Sequence, residues 1–420
     1  MALKKTPVTG MRDITPAEME IRDYLLALIK ETYREYGFSG METPCVEHIE
    51  NLTSKQGGDN EKLIFKILKR GNKLRLEDAK SEADLVDGGL RYDLTLPLSR
   101  YYANNAANLP SPFKALQIGN VWRADKPQRG RFRQFVQCDI DILGEASYLA
   151  EVELILATST LMGKMGFQGF KVRINDRRIL KAMAAYCGFP EESCEQVFII
   201  LDKMDKIGRD GVAAELVESG FSQDSVDKYM ALFEDSDDTA EGVRRLGETL
   251  EGVIEPGTAE NLQKIMTCVE KTAIADFKLA FDPTLVRGMS YYTGTIFEIE
   301  IEQFGGSVGG GGRYDEMIGK FTGMKTPACG FSIGFERIVT VLLESGYTVP
   351  GGKEKKAYLM EKGLDADMVC QVIAEANQER AKGVQVLVAQ MNKNKKFQKD
   401  QLMKEGYREF KEFYKDSLKK

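Results

Sequence analysis

Histidine is almost missing from this chain: its 420 residues contain one, His48. A Ser–His–Asp triad, a Cys–His dyad and a polyhistidine metal site each need an imidazole beside the reacting group. His48 lies just beyond Pro44 in a segment that suggests a structural or exposed residue. Gly330-Phe331-Ser332-Ile333-Gly334 matches G-x-S-x-G, but no later histidine exists to activate that serine. The seven cysteines (Cys45, Cys138, Cys187, Cys194, Cys268, Cys329, Cys370) are odd in number and include no C-x-x-C pair. They read as reduced thiols, not a disulfide framework or a zinc site. No apolar run approaches membrane-spanning length, and MALKKTPVTG has no signal-peptide apolar region. A soluble, cytoplasmic protein without a membrane partner is expected. An excess of positive charge is lacking too: 58 Lys and Arg oppose 64 Asp and Glu, a net charge of −6. Any nucleic-acid contact must come from local patches. With 43% hydrophobic residues the chain can build a large core in two or three domains.

What is present concentrates in residues 115–144, ALQIGNVWRADKPQRGRFRQFVQCDIDILG, which read as two strands joined by a polar loop. A period of two puts Leu116, Ile118 and Trp122 on one face, with Gln117 and Arg123 on the other. In the second strand Val136, Cys138, Ile140 and Ile142 share an apolar face. Arg133, Phe135, Gln137, Asp139 and Asp141 alternate with them. A solvated hairpin face is usually rich in Lys, Glu and Thr; this one mixes an aromatic, an amide, arginines and acids. Its loop adds a cationic cluster, Arg123, Lys126, Arg129 and Arg131.

In chain order, Thr15-Pro16-Ala17-Glu18 is a capping box, and the apolar spacing after it predicts a helix ending at Gly37. Met41-Glu42-Thr43-Pro44 suits an edge strand, and a long helix with an edge strand is a plausible dimer surface. Residues 63–68 read as a strand and Gly88-Gly89 as a turn. Residues 90–95 read as a short strand that puts Asp93 and Thr95 on one face, where a carboxylate beside a hydroxyl suits an ammonium group. Residues 147–165 predict a helix and 170–174 a strand. From 176 to about 275 strand patterns vanish, and short helical runs indicate an all-helical insertion of mixed charge. Sheet patterns return at Phe277, with a strand over 295–301. The glycine run before Arg313-Tyr314-Asp315 either lets a ligand or backbone approach closely or forms a hairpin loop. It matches neither the P-loop nor G-x-G-x-x-G. Residues 328–335 predict a strand with Gly330, Ser332 and Gly334 on a nearly bare face, and Arg337 then lies at a helix N-terminus suited to phosphate. Pro350-Gly351-Gly352 marks a linker to a small α/β domain. No strand pattern is evident after Val388, and the basic tail reads as an exposed helix or an RNA-facing surface.

Arg123, Arg131, Arg287 and Arg337 are placed to surround a polyphosphate, where charge-assisted hydrogen bonds are the strong ones. Asp93, Gln137 and Asp141 suit an ammonium, and Tyr292 and Tyr314 a planar polar group. This combination implies positioning and electrostatic stabilisation of an in-line attack at phosphate, with no protein nucleophile.

These residues resemble the class II aminoacyl-tRNA synthetases, and closely the histidyl-tRNA synthetases, over residues 10 to about 346. Residues 123–141 resemble motif 2, 330–337 motif 3, and the Pro44 segment after the long helix motif 1. LVRGMSYY and GGGGRYD resemble the two histidine-specific signatures, and RYDLT the amino-group-binding strand. The fold this implies is α+β, a class II-type antiparallel sheet flanked by helices, with an all-helical insertion and a small C-terminal α/β domain. The boundaries expected are a catalytic domain at 1–175 and 276–348, the insertion at 176–275 and the C-terminal domain at 349–420.

The resemblance also implies roles. Arg123 would contact the α-phosphate and the substrate carboxylate. Arg287 would stabilise the α-phosphate, a task magnesium often performs elsewhere. Arg131 and Arg337 would bind the γ-phosphate, and Phe135 with Arg337 would sandwich adenine. Asp93, Leu94, Thr95, Gln137 and Asp141 would hold the backbone end of histidine, and Tyr291, Tyr292 and Tyr314 would line its imidazole pocket. No protein-held metal is implied; Mg2+ would accompany ATP. The partners would be L-histidine, ATP and tRNA(His), the insertion clasping the acceptor stem, the C-terminal domain meeting the anticodon, and the assembly a homodimer. Two features depart from the family pattern: Ser290 stands where Asp is usual, and the C-terminal domain looks short. The alternative is the catalytically silent paralogue that regulates histidine biosynthesis, which tends to lose the catalytic arginines and the anticodon domain. Arg123, Arg287 and Arg337 are all present here.

Overall fold

The computed structural model describes residues 3–53, 60–234, 237–286, 292–352 and 354–418. It divides into two compact units, Met1–Asp13 with Leu25–Ser345, and Ile14–Tyr24 with Gly346–Lys420. The first unit contains strands β1 (Ser39–Met41), β2 (Val46–His48), β3 (Lys66–Leu68), β4 (Val86–Leu90), β5 (Phe113–Trp122), β6 (Gln134–Leu143), β7 (Phe170–Asp176), β8 (Phe277–Phe281), β9 (Thr295–Ile301), β10 (Gly306–Arg313) and β11 (Ala328–Ile333). Helix α1 (Pro16–Glu35) belongs to this unit from Leu25 onward. With it come α2 (Ile49–Thr53), α3 (Thr95–Asn105), α4 (Leu149–Lys164), α5 (Arg177–Tyr186), α6 (Cys194–Leu201), α7 (Met204–Glu218), α8 (Gln223–Glu234), α9 (Ala240–Thr249), α10 (Thr258–Thr272), α11 (Gly319–Thr322) and α12 (Phe335–Glu344).

Eight strands form one sheet in the order β1-β5-β6-β11-β10-β9-β7-β8. The pairs β1–β5 and β7–β8 at its two edges are parallel and the rest antiparallel. Register aligns Leu116, Ile140, Phe331, Gly311 and Phe297 in one row. The rings of Phe297 and Phe331 stack there with centroids 5.1 Å apart. Helix α4 packs on β6 and β11. Arg313 faces α4 and holds Glu151 with one edge of its guanidinium, Nε and Nη2 each 2.7 Å from a carboxylate oxygen. The adjacent row on the other face is polar: Gln117, Asp139, Ser332, Gly310, Glu298 and Arg173. The two faces of the central hairpin therefore separate as the period of two predicts.

Several local expectations change. Gly88 and Gly89 lie inside β4, paired with β2 and β3, instead of forming a turn. Thr95 opens α3, so Asp93 and Thr95 do not share a strand face. Asp93 Oδ1 accepts the Leu96 N–H over 3.1 Å and so caps the helix. Pro97 is tolerated in the first turn because its missing N–H would have no intrahelical partner. Residues 60–63 form a 3-10 turn, which leaves only Lys66–Leu68 as strand. The motif 1 strand is Ser39–Met41, the sheet edge beside β5, and Pro44 follows it. The glycine run is β10, a strand between β9 and β11, not a loop. The region between β7 and β8 is helical among its described residues, with α7 bent at Gly208 (φ +69°).

In the second unit β12 (Lys355–Met360), α13 (Ala366–Ala381), β13 (Gln385–Gln390), α14 (Lys395–Lys404) and β14 (Glu409–Phe413) alternate. The three strands are parallel in the order β13-β12-β14. Asp365 and Asn394 cap the two helices. Tyr358, Val372, Ala376, Val386 and Phe413 form its core. β14 escapes the sequence pattern because Glu409-Phe410-Lys411-Glu412-Phe413 spaces its phenylalanines by three and fills the rest with charge. It is an edge strand, and its charges find partners across the surface, as Lys395 and Lys399 do with Glu412.

Candidate functional site

A cleft of about 680 Å³ opens on the polar face of the main sheet, within the range of small-ligand sites. Asp93, Thr95, Arg123, Arg131, Phe135, Gln137, Asp141, Tyr292, Tyr314 and Arg337 all line it. Leu94 is buried beneath, where its carbonyl accepts from Gln117 Nε2 over 3.1 Å. Arg287 and Tyr291, like Ser290, lie outside the described residues.

One end of the cleft is acidic and buried. Asp93, Asp139 and Asp141 are each at least nine-tenths buried. Tyr314 Oη donates to Asp141 Oδ1 over 2.6 Å. Gln137 Nε2 is 3.3 Å from both Asp139 Oδ2 and Ser332 Oγ. Burial, and then the neighbouring Asp93 charge, push the Asp141 carboxyl up to about 7 against the lowering bond from Tyr314. Burial followed by the Asp141 charge raises Asp139 well above the carboxylate range, and burial raises Asp93. Among the described residues, Asp141 Oδ2, Gln137 Oε1 and Gln117 Oε1 are buried acceptors without a hydrogen-bond partner. Such groups are costly to leave unpaired, and a ligand rich in N–H donors relieves the cost. Gly330 makes this pocket possible: a Cβ there would overlap Asp141 Oδ1.

The other end is cationic and aromatic. Arg123 follows β5; its Nε donates to the Tyr92 carbonyl over 2.9 Å, and its guanidinium lies 5.2 Å from the Phe135 ring centroid. Arg131 Nη2 pairs with Asp125 at 2.7 Å in the loop between β5 and β6. Arg337, in the first turn of α12, donates to the Ser307 carbonyl and lies 5.4 Å from the Phe304 ring. Glu336 Oε1 accepts the Val136 N–H over 3.2 Å, joining α12 to β6. The cleft thus has one end for a cationic group and another for an anionic group.

Sequence reasoning missed five contributors to the cleft. Asp139 shares strand parity with Gln137 and Asp141, a signal that was available. Glu336 follows the glycine-spaced strand and carried no signal beyond its place beside Arg337. Asp202, Asp205 and Lys206, from the end of α6 and the start of α7, also line the cleft. Arg173 binds both Asp282 (2.6 Å) and Asp205 (3.0 Å) there, which no local pattern reveals.

The family model described as "Histidyl-tRNA synthetase" matches residues 10–338. A histidine–tRNA ligase from Leifsonia xyli subsp. xyli is 45% identical over 361 residues, 81% of each chain. A probable histidine–tRNA ligase from Tropheryma whipplei is 41% identical over 382 residues, 89% of this chain and 88% of its own. The crystal structure of histidyl-tRNA synthetase from Nostoc sp. PCC 7120 superposes with a TM-score of 0.78 at 26% identity, covering 97% of this chain and 91% of that one. The fold is that of an aminoacyl-tRNA synthetase, and the family match makes the chain one of these ATP-dependent ligases. Within that class, the chain belongs to the histidyl-tRNA synthetase family.

Proposed function

We propose that this chain activates L-histidine with ATP to histidyl-adenylate, releasing pyrophosphate, and then transfers the histidyl group to a terminal ribose hydroxyl of tRNA(His). The observation that carries the reading is the set of buried, unpartnered acceptors at Asp141 and Gln137 beside Asp93. An α-ammonium and an imidazole N–H supply the donors they need. Asp93, Thr95, Gln137 and Asp141 hold the ammonium end, while Tyr292, Tyr314 and Tyr291 border the ring. Arg123, at the junction of the two ends, orients the substrate carboxylate toward the α-phosphorus. Arg131 and Arg337 take the terminal phosphates, and Phe135 with Arg337 brackets adenine. Arg287 meets the α-phosphate charge as the carboxylate oxygen forms its bond and pyrophosphate leaves. Magnesium enters with ATP, neutralising its phosphates.

The reaction needs no protein nucleophile: alignment and charge stabilisation lower the barrier. The second step replaces AMP by the ribose oxygen at the acyl carbon. The helical segment at 176–275 clasps the acceptor stem, residues 349–420 meet the anticodon, and the edge strand with α1 supports a cytoplasmic homodimer. Histidine-dependent ATP–pyrophosphate exchange, with other amino acids as controls, tests the reading. Exchange with histidine alone is expected, and Arg287→Ala is expected to abolish it in a folded protein. No exchange by a folded protein that still binds histidine would favour the regulatory alternative.

A further inference from the structure

The segment before α1 runs across the base of the loop between β5 and β6. Its Gly10 carbonyl accepts the Arg133 N–H over 2.9 Å. Gly10 is left-handed (φ +83°), and a Cβ there would lie 2.7 Å from the Arg133 side chain and 3.0 Å from Pro127. Only glycine meets both conditions, so the segment sits tight on the loop. Two residues on, the Arg12 guanidinium lies 4.4 Å from the Phe132 ring centroid, and its Nη2 is 3.4 Å from Glu336 Oε2. Glu336 is 6% exposed and also takes the Val136 N–H through its other oxygen. Phe132 and Glu336 both line the cleft. Phe132 directly follows Arg131, and Glu336 directly precedes Arg337. One side chain from the chain terminus thus touches the neighbours of both arginines at the anionic end.

We propose that Arg12 is a positioning residue for the nucleotide: by stacking on Phe132 and pairing with Glu336 it holds the β5–β6 loop against the start of α12, and so sets the spacing between Arg131 and Arg337. This rests on the reading of the cleft as a histidine-activating site. Arg12 acts on the nucleotide through those neighbours. The geometry needs a planar cation: a guanidinium can lie on a ring and present an N–H edge to a carboxylate at once, whereas an ammonium is a point charge. Histidine is held by Asp93, Gln137 and Asp141 at the acidic end of the cleft, so the two substrates should respond differently.

The test is pyrophosphate exchange by the full-length protein as wild type, Arg12→Ala, Arg12→Lys, Glu336→Gln and the double variant Arg12→Ala/Glu336→Gln, with thermal melting of each. Wild-type exchange tests the underlying reading by itself. Given that exchange, Arg12→Ala is expected to raise the KM for ATP about ten-fold or more and to leave the KM for histidine within about two-fold. Arg12→Lys should recover only part of the loss. The double variant should be no worse than the poorer single variant, since both remove one link. An unchanged KM for ATP, or equal rises in both KM values, would overturn the assignment. If Arg12→Ala does not fold, the same comparison between the two KM values is made on Arg12→Lys and Glu336→Gln.

Discussion

Tyr314 and Asp141 are 173 residues apart in sequence and joined by a 2.6 Å hydrogen bond from the phenol to Oδ1. The bond reaches over Gly330, whose missing side chain leaves the space that the carboxyl occupies. It fixes one carboxyl oxygen and leaves Oδ2 without a partner among the described residues. One half of the carboxyl is thereby fixed in orientation, and the other half can accept from a donor-rich ligand.

The Asp141 carboxyl, held up to about 7, should make histidine binding pH-dependent. The ionised form pairs with a cation and the protonated form does not, so affinity should fall as pH drops through about 7. The imidazole of histidine titrates nearby, at about 6.5. Asp141→Asn isolates that contribution. Histidine dissociation constants at pH 6 to 8.5 should show a steeper loss for wild type than for the weaker-binding variant; parallel profiles would remove Asp141 from the titration.

The same group should tune stability in the ligand-free protein. A carboxyl raised in the folded state binds more protons than in the unfolded chain, so stability falls as pH rises from about 4 through about 7, and the penalty is complete above that. Asp141→Asn should therefore stabilise the free protein at pH 8 by up to about 4 kcal/mol, and by much less at pH 5. Chemical denaturation at the two pH values reads this directly.

Tyr314→Phe should leave the Asp141 carboxyl without its donor. The lost bond lowers the pKa, so its removal should shift the fall in histidine affinity to higher pH. The folded state should lose about 1–3 kcal/mol, the cost of a buried acceptor without a partner. The KM for ATP should barely move.

Gly330→Ala should push Asp141 out of place, because the new methyl and Oδ1 cannot coexist. Histidine binding should fall at least about ten-fold, with a stability loss of about 1–3 kcal/mol from overpacking. Calorimetric titration with histidine and with ATP would separate the two ends of the cleft.

Glu151→Ala should be the most destabilising of these changes, by about 3–5 kcal/mol. It removes the bidentate partner of the Arg313 guanidinium, which is 7% exposed, and leaves it Asp315 at 3.3 Å and the Glu145 and Ser147 carbonyls. Urea midpoints compared with Tyr314→Phe would test that ranking.

Much of the site was legible because it is periodic. Alternation in residues 134–143 sorts Gln137, Asp139 and Asp141 from Val136, Cys138 and Ile140, whatever surrounds the strand. The capping box at Thr15-Pro16-Ala17-Glu18, the glycine-spaced strand at 328–333 and the loss of strand patterns after Asp176 are equally local. Resemblance to a family then joined segments that periodicity could not connect. Three expectations failed for the opposite reason. Gly88-Gly89 became strand because β2 and β3 pair on either side of it. Thr95 became helix because Asp93 caps it. Glu409–Phe413 became strand because β12 offered an open edge.

The sequence by itself determined the composition of each face, the chemistry excluded by a single histidine, and the arginines and acids from which the cleft is made. Tertiary structure alone decided which of these meet. Asp141 joins Tyr314, Arg12 joins Glu336 and Arg173 joins Asp205 because strands and helices distant in the chain are brought together by register and packing. Burial then does what no residue type can do alone. It turns three ordinary aspartates into carboxyls reluctant to ionise, since removing water penalises the charged form unless a cation takes its place.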